Sequence, residues 1–400
     1  MEKLILKRMK GYRFLLVVLC VAGMLFGCAV RVCAAGSSEK ENTTVGMGEE
    51  AEGDITSILD EVDFSQVDQL LEEQDVALNF DFRGLVEKLI SGEDIDKQWL
   101  FDTIRDVFFQ EISQSRGYMI LLVAAFALLY NFANVFENAA VTDISFYIVY
   151  MILLALLMKS FLLMSGILTG TLHTILGFLK ALLPSFCLTM VFSTGSATAM
   201  GFYQLTLLMI FVVESVLTYL VVPAVHIYIL LELLNHLTRE EMISKMTELL
   251  KTVVEWSLKC LFTLVIGVNV VQGLLTPVID GLKTSTFART ASMLPGVGNS
   301  FSAVTEIMVG SGIVIKNGVG VAGMLLVIAL CAGPLVKVGI LTLLYKLSAA
   351  VVQPIADKRL AGCISGMGEG AGLFGKILIT ADVMILLTIA LITAATTWNR

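Results

Sequence analysis

Two ionisable side chains lie within stretches of sequence that are otherwise apolar enough to cross a membrane. Lys159 lies in the inner part of Ile144–Leu163, and Glu214 lies in the middle of Phe202–Val222. Ionisable groups are costly at membrane depth and often mark an ion or solute path. An ion pair between the two would relieve both costs and could line a polar pathway. A purely structural pair, or a Lys159 side chain that snorkels to the interface, fits the same pattern.

Two further segments, Gly166–Met200 and Gly281–Gly312, are too polar for simple spans and too apolar for exposed loops. Irregular backbone at membrane depth survives only where it is buried in protein or lines a watery cavity. We therefore expect re-entrant or broken helices in both segments, although each could instead form one or two short complete spans. The candidate hairpin residues are Pro184, Gly195, Pro295, Gly296 and Gly312.

Matching prolines indicate that part of the chain is duplicated. The positions of Pro184 and Pro295 differ by 111 residues, and so do those of Pro223 and Pro334, in a chain with only six prolines. Leucine and isoleucine matches at the same offset carry less weight, because both residues are abundant here. The sequence therefore predicts an internal repeat.

Basic residues indicate the orientation of the two predicted repeat units, which lie at about 159–269 and 270–380. Membrane proteins concentrate lysine and arginine in their cytoplasmic loops. A basic loop is predicted after each unit, so both loops are expected on the cytoplasmic side and the units are expected to be parallel. The basic residues are Arg239, Lys245, Lys251 and Lys259 in the first loop, and Lys346, Lys358, Arg359 and Lys376 in the second.

The composition is that of a membrane protein, since 56% of the residues are hydrophobic and only 16% are charged. A helical span needs about 20 apolar residues. The clear candidates are Gly117–Phe136, Ile144–Leu163, Phe202–Val222, Cys260–Ile279, Val319–Leu344 and Ile377–Thr396. With the two polar segments, residues 116–400 are expected to form an all-α polytopic membrane domain with about six to eight transmembrane helices.

Residues 1–35 have the order of a secretory signal peptide. Five basic residues precede the apolar run Phe14–Val30, and small residues follow at Ala34 and Ala35. The positive end stays inside, so the chain from residue 36 onward is expected outside. A lipoprotein signal at Cys28 is one alternative. An uncleaved anchor is the other, and it would leave the later topology unchanged.

The segment 36–115 is acidic, with 21 acidic and 5 basic residues. Its first part, 36–55, is rich in Gly, Ser, Glu and Thr and is expected to be disordered. Helical spacing of apolar residues begins around Phe64–Leu71 and recurs at Phe82–Ile90. The segment is either a small helical cap that packs on itself or a docking surface for partner proteins.

No motif predicts catalysis, a cofactor or a metal. The stretch Gly370–Lys376 matches GxxxxGK, but Ile377 follows where a phosphate-binding loop needs Ser or Thr, and no strand precedes it. The sequence contains neither GxSxG nor HExxH, and its cysteines and histidines lack zinc-ligand spacing. We therefore expect a protein that is not an enzyme, and no nucleic-acid partner is predicted.

A short motif closes the second basic loop. It comprises Pro354, Asp357, Lys358 and Arg359 at the end of an amphipathic stretch. It could contact anionic lipid headgroups or a cytoplasmic partner, or it could be an ordinary positive-inside loop.

Taken together, these features resemble the stage III sporulation protein AE family of endospore-forming bacteria over essentially the whole chain. The resemblance rests on the signal, the acidic helical segment and the span that begins at Asp143. It rests also on Met293–Gly296 and the Gln353–Arg359 stretch. It implies a multi-pass membrane component of the channel complex that links mother cell and forespore. By the same resemblance, the protein would sit in the outer forespore membrane, derived from the mother cell, and support late forespore gene expression.

Two functions are weighed on this basis. The first is a non-enzymatic membrane subunit of this channel or secretion complex, whose partners are the other membrane subunits and which can also form homo-oligomers. The second is an autonomous permease or secondary transporter with a polar pathway near Lys159 and Glu214. An intramembrane enzyme has the least support, because the sequence contains no recognisable arrangement of catalytic side chains.

Overall fold

The computed structural model describes residues 59, 62–73, 82–91, 105, 109, 113, 139–194, 196–236, 243–291, 298–353 and 358–395. The regular structure of these residues is helical without any strand, which confirms the all-α fold class. The helices are α1 (Ser65–Glu73), α2 (Phe82–Ile90), α3 (Ala139–Thr194), α4 (Ser196–Val216), α5 (Val222–Asn235), α6 (Ser244–Ala291), α7 (Gly298–Val352) and α8 (Lys358–Ala395). A π-helical turn, Leu217–Val221, joins α4 to α5.

Five stretches of the described residues are long and apolar enough to cross a membrane. They are Tyr150–Ser193, Ala199–Asn235, Ser244–Gly273, Val309–Val352 and Lys358–Ala394. The helices that contain them also contain five of the predicted spans. The remaining predicted span, Gly117–Phe136, lies outside the described residues, as do the predicted signal peptide and the segment 36–55.

The helices are longer than a bilayer requires. With 56 residues and a rise of 1.5 Å per residue, α3 is about 84 Å long. The hydrocarbon core of a bilayer is only about 30 Å thick. The α3 helix must therefore continue beyond the membrane on at least one side.

Of the candidate hairpin residues in Gly166–Met200, Pro184 lies within a continuous helix, and the re-entrant character of the segment stays a prediction. The α3 helix runs unbroken through Pro184 to Thr194, and α4 begins at Ser196. The two helices are antiparallel, since Cys187 of α3 donates to the carbonyl of Ala199 in α4 at 3.5 Å. The α3 and α4 helices therefore form a hairpin, and the predicted hairpin residue Gly195 lies outside the described residues.

Local hydrogen bonds explain why this polar segment stays helical. The hydroxyl groups of Thr171 and Thr174 donate to the carbonyls of Ile167 and Gly170, four residues earlier in α3. A hydroxyl that is satisfied in this way needs neither water nor an irregular backbone. The polarity of the segment therefore does not require a broken helix.

The second predicted re-entrant segment, Gly281–Gly312, is also mostly helical. The α6 helix continues to Ala291 and α7 begins at Gly298, so any break falls within residues 292–297. Pro295 and Gly296 lie in this interval, outside the described residues. Gly312 lies inside α7, where a Cβ atom would be 3.0 Å from the backbone of Phe192 in α3. This glycine permits close helix packing rather than a turn.

The directions of the helices agree with parallel units. Contacts of Leu182 with Gly323 and of Phe192 with Gly312 show that α3 is antiparallel to α7. Because α3 is also antiparallel to α4, the α4–α5 arm and α7 run in the same direction. The α6 and α8 helices are parallel as well, because Lys251 pairs with Glu369 and, further along both, Glu255 pairs with Lys376. The duplication itself stays a prediction.

The α8 helix lies at the centre of the bundle, in contact with α3, α5, α6 and α7. Glycines recur every fourth residue on its α5 side, at Gly362, Gly366 and Gly370. Cβ atoms at these positions would lie 2.5–2.6 Å from side-chain atoms of α5 and of His236, which follows its last residue. Small residues at this spacing let two membrane helices approach closely.

Candidate functional site

Lys180 and Glu214 form an ion pair between the two arms of the α3–α4 hairpin. The Lys180 Nζ and Glu214 Oε2 atoms are 2.6 Å apart, and the two side chains are 44% and 34% exposed. Glu214 lies within an apolar helix, as the sequence indicates, but its partner is Lys180 and not Lys159.

The predicted pairing of Glu214 with Lys159 is wrong for a geometric reason. Lys159 and Lys180 both belong to α3, and 21 residues of α-helix separate them by about 31 Å. The side chain of Lys159 is exposed, consistent with snorkelling. The transporter hypothesis loses its best structural support, because Lys159 and Glu214 do not lie on one local pathway.

The N-terminal helices α1 and α2 pack on the bundle and on each other. Phe82 of α2 is fully buried, with its ring centroid 5.3 Å from that of Phe64 and 6.4 Å from that of Phe178 in α3. The interface is tight, since a Cβ atom at Gly177 would lie 3.1 Å from Leu70 Cδ1. The α2 helix also reaches α7, where Ile90 lies against Gly318.

Asp63 connects the start of α1 to α3. Its backbone carbonyl accepts a hydrogen bond from Ser185 Oγ at 2.5 Å. Its carboxylate accepts one from the backbone N–H of Ser65 at 2.9 Å. Hydrogen bonds from the side chain and the backbone of Ser65 lower the pKa of Asp63 below its ordinary value. This residue therefore closes the first turn of α1 and also anchors it to the membrane helices.

The outward faces of α1 and α2 are polar. Among their apolar residues Val67 and Val86 are fully buried, and Leu70, Leu89 and Ile90 are half-buried. The exposed residues of this outer surface are Asp63, Ser65, Gln66, Gln69, Arg83, Glu87 and Lys88. Such a surface belongs in water, so the level of the bundle that carries α1 and α2 lies outside the hydrocarbon core.

A second polar group joins α5, α6 and α8 near the other end of the bundle. Lys251 Nζ of α6 lies 2.5 Å from Glu369 Oε2 of α8. The same carboxylate oxygen accepts a hydrogen bond from the Tyr228 hydroxyl of α5 at 3.4 Å. About one turn further along α6, Glu255 Oε1 lies 2.6 Å from Lys376 Nζ of α8. These pairs crosslink three helices of the bundle.

This group was missed because the predicted basic loops are wrong. The structure places Lys251 in α6 and Lys376 in α8, where sequence reasoning assigned both to loops. The structure also places the other described residues of those predicted loops in helices: Lys245, Lys259, Lys346, Lys358 and Arg359. Arg239 lies outside the described residues. The available signal was the alternation of charge at every fourth residue of α6, at Lys251, Glu255 and Lys259.

The GxxxxGK stretch is helix. Gly370–Lys376 lies within α8, so it forms no phosphate-binding loop. Gly370 meets Ile229 of α5, and Gly372 and Gly375 face Thr342 and Val338 of α7. The glycines of this stretch serve helix packing, and its lysine forms the ion pair with Glu255.

A neutral polar group lies at the α6–α8 interface further toward the hairpin end. Asn269 Nδ2 donates to the carbonyl of Val265 at 2.8 Å and to Thr388 Oγ1 of α8 at 3.4 Å. Its side chain also lies 3.6 Å from the sulfur of Met209 in α4. This buried amide adds a polar crosslink between α6 and α8.

The predicted cytoplasmic contact motif is only partly described. Pro354 and Asp357 lie outside the described residues, while Lys358 is the first residue of α8 and is exposed. Arg359 is half-buried. Its role in lipid or partner contact stays a prediction. Among the described residues, no group of three or more His, Cys, Asp and Glu side chains is arranged to hold a metal ion.

Comparison with known proteins agrees with the resemblance noted in the sequence. Residues 80–396 match the family model described as stage III sporulation protein AE. The chain is 25% identical over 390 residues to the stage III sporulation protein AE of Bacillus subtilis (strain 168), covering 96% of this chain and 98% of that protein. No solved structure matches. The chain therefore belongs to the stage III sporulation protein AE family, and since its described residues include five helices apolar enough to cross a membrane, it is a membrane protein of spore formation.

Proposed function

We propose that this protein is a non-enzymatic integral membrane subunit of the channel or secretion complex that connects mother cell and forespore, and that it supports late forespore development. Family membership supports the sporulation role. The observation that carries the proposal of a subunit is the arrangement of α1 and α2 on the bundle. They form a fixed polar platform at one end of a set of long membrane helices.

A platform of this kind suits assembly with other subunits. Phe82 and the hydrogen bond from Ser185 to Asp63 hold α1 and α2 in one position on α3. A partner that binds the exposed face therefore meets a preformed surface and does not have to order it, which reduces the entropic cost of binding. The surface carries both acidic and basic side chains, which favours specific pairing over general adhesion.

The same arrangement supports a location in the outer forespore membrane. The α1–α2 end would then face the space between the two membranes, and the end with Lys358 would face the mother-cell cytoplasm. Lys358 and Arg359 at the latter end agree with the positive-inside rule.

Site-specific photocrosslinking in sporulating cells of the native host tests this proposal. A photoreactive amino acid replaces Gln66, Gln69 or Glu87 on the exposed face, and the matched control replaces Val86, which is fully buried. We expect the exposed positions to crosslink, after engulfment, to another membrane subunit identified by mass spectrometry. The buried position should give only crosslinks within the chain. Equal crosslinking in vegetative and sporulating cells, or none from the exposed positions, would contradict the proposal.

A further inference from the structure

The solvent-accessible side of α6 is divided lengthwise into two stripes of different chemistry. Residues of the polar stripe are half-buried or exposed and follow each other at intervals of three or four: Lys245, Glu248, Thr252, Glu255, Lys259 and Thr263. Beside it runs an exposed apolar stripe at the same intervals: Met246, Leu249, Val253, Trp256, Cys260 and Leu264. A helix whose accessible side were covered by lipid alone would be apolar on all of it.

The neighbouring helices place the polar stripe at membrane depth. The α5 helix exposes Ile227, Leu230 and Leu234 beside α8, and α7 exposes Leu343 and Leu347. The contact of Gly366 with Glu232 and the Lys251–Glu369 pair bring these parts of α5, α6 and α8 to one level. The polar stripe extends from Lys245 to Thr263, which is a rise of 18 residues or about 27 Å. This length is close to the thickness of the hydrocarbon core.

The polar stripe borders a groove over α8. The accessible residues of α8 at this level are Ser365, Glu369, Gly372 and Lys376, at the spacing of one helix face. The α7 helix borders the opposite side, where Lys346 is exposed and a Cβ atom at Gly368 of α8 would lie 3.3 Å from its Cγ. We call this feature the α8 groove: a floor from α8, with walls from α6 and α7.

The polar groups of the groove are satisfied within the chain. Lys251 pairs with Glu369, and Lys376 pairs with Glu255. The hydroxyls of Thr252 and Thr263 donate to the carbonyls four residues earlier. Groups that already have partners offer a docking helix few specific contacts. However, charged side chains that are 35–48% exposed remain costly against lipid and need water.

We propose that the α8 groove faces water within the membrane and forms this chain's part of the wall of an aqueous passage. The inference rests on the proposed function, since a passage implies a channel assembly, and it assigns the lining to α6, α7 and α8. The groove and its polar stripe also carry a cationic excess, because five lysines outnumber three glutamates there: Lys245, Lys251, Lys259, Lys346 and Lys376 against Glu248, Glu255 and Glu369. The passage therefore favours anionic or neutral polar solutes over cations.

Cysteine labelling of the full-length protein in sporulating-cell membranes tests the proposal. All native cysteines are replaced, and one cysteine is introduced at Thr252, Lys259 or Thr263 in the polar stripe. Matched controls carry it at Val253, Trp256 or Leu264 in the apolar stripe. Because thiols react as thiolates, which form in water, we expect charged, water-borne thiol reagents to label the polar-stripe positions. The apolar positions should react only with a lipid-soluble maleimide.

The charge of the reagent tests the solute preference. At Thr252→Cys and Thr263→Cys, which leave every groove charge in place, we expect an anionic reagent to react about tenfold faster than a cationic reagent of the same size. Equal rates, or a faster cationic reagent, would overturn the preference for anions. If the polar-stripe cysteines react with the charged reagents no faster than the control cysteines do, the proposal that the groove faces water is wrong.

Two further readouts separate this inference from the proposed function. If the polar-stripe cysteines react in the purified protein but not in sporulating-cell membranes, a partner helix covers the groove and the inference is wrong. Spore counts of the same variants are scored alongside. Variants that sporulate normally with an unreactive groove overturn the inference and leave the proposed function standing.

Discussion

Gly370 of α8 lies so close to Ile229 of α5 that a Cβ atom at Gly370 would be 2.5 Å from Ile229 Cγ1. Gly362 has the same relation to the imidazole of His236. Close contact of α5 and α8 along this glycine stripe sets the position of Tyr228 and Glu369, and through Glu369 that of α6. The packing of the bundle and the geometry of its inner ion pairs are thus parts of one arrangement.

We predict that Gly370→Ala destabilises the protein by about 1–3 kcal/mol, because the added methyl group must displace a branched side chain in a packed interface. The matched control is Gly201→Ala, since a Cβ atom at Gly201 would have no neighbour within 4 Å. There the same change should be neutral or stabilising by about 0.5–1 kcal/mol, as expected for alanine in a helix. Unfolding of the purified protein, followed by circular dichroism, measures both. Equal stability of the two variants would show that the stripe is not tightly packed.

We predict that Phe82→Ala releases α1 and α2 from the bundle. Phe82 is fully buried between Phe64 and Phe178, and loss of such a side chain costs about 3–5 kcal/mol, more than two short helices can offset. Limited trypsin digestion should then cut faster after Arg83 and Lys88. The control is Gln69→Ala on the exposed face of α1, which should leave the digestion rate unchanged. Protection of Phe82→Ala to the same degree as the control would contradict the anchoring role.

Acid should loosen the start of α1. The folded pKa of Asp63 is lowered by hydrogen bonds from Ser65, so the carboxylate stabilises the fold above its unfolded pKa of about 4. That contribution is lost as the pH falls through the lower, folded value. The protection factors of the α1 amides against hydrogen exchange, which are corrected for the intrinsic pH dependence of exchange, should therefore fall in this range, and Asp63→Asn should remove that fall. If the Asp63→Asn protein keeps the same acid response, other carboxylates cause that response and the prediction for Asp63 is wrong.

Glu214→Gln should cost no more than about 1 kcal/mol, because the Lys180–Glu214 pair is partly exposed and such pairs contribute little. The charge-swapped variant, Lys180→Glu with Glu214→Lys, should restore most of the stability lost in either single reversal. Lys159→Ala is the control: its effect should add to that of Glu214→Gln within about 0.5 kcal/mol, since the two sites are far apart. Coupling of Lys159 with Glu214 beyond that range would revive the pairing predicted from sequence.

The helical, membrane-spanning character of the chain could be predicted because it depends on composition and on the length of apolar runs. Ile144–Leu163 and Phe202–Val222 are both helical as predicted. The continuity of α3 through Pro184 could not be predicted from sequence. The side chains of Thr171 and Thr174 count as polar in any composition, but each is satisfied by its own helix.

The candidate site was harder to predict because it depends on which helices meet. Glu214 has two basic residues on α3 as possible partners, and only the register of the α3–α4 hairpin selects Lys180. Similarly, Glu369 attracts notice only when α6 and α8 are known to be parallel neighbours. The charged residues themselves could be identified from the sequence, but their partners could not.

The most direct test of the central claim is the phenotype of a strain that lacks this protein. We expect engulfment to be completed, and activity of a late forespore promoter fused to a reporter to fail afterwards, with a loss of heat-resistant spores. Expression of the intact chain in the mother cell should restore both, whereas expression in the forespore should not. Normal reporter activity after engulfment and normal spore counts in the deletion strain would contradict a role in the channel complex.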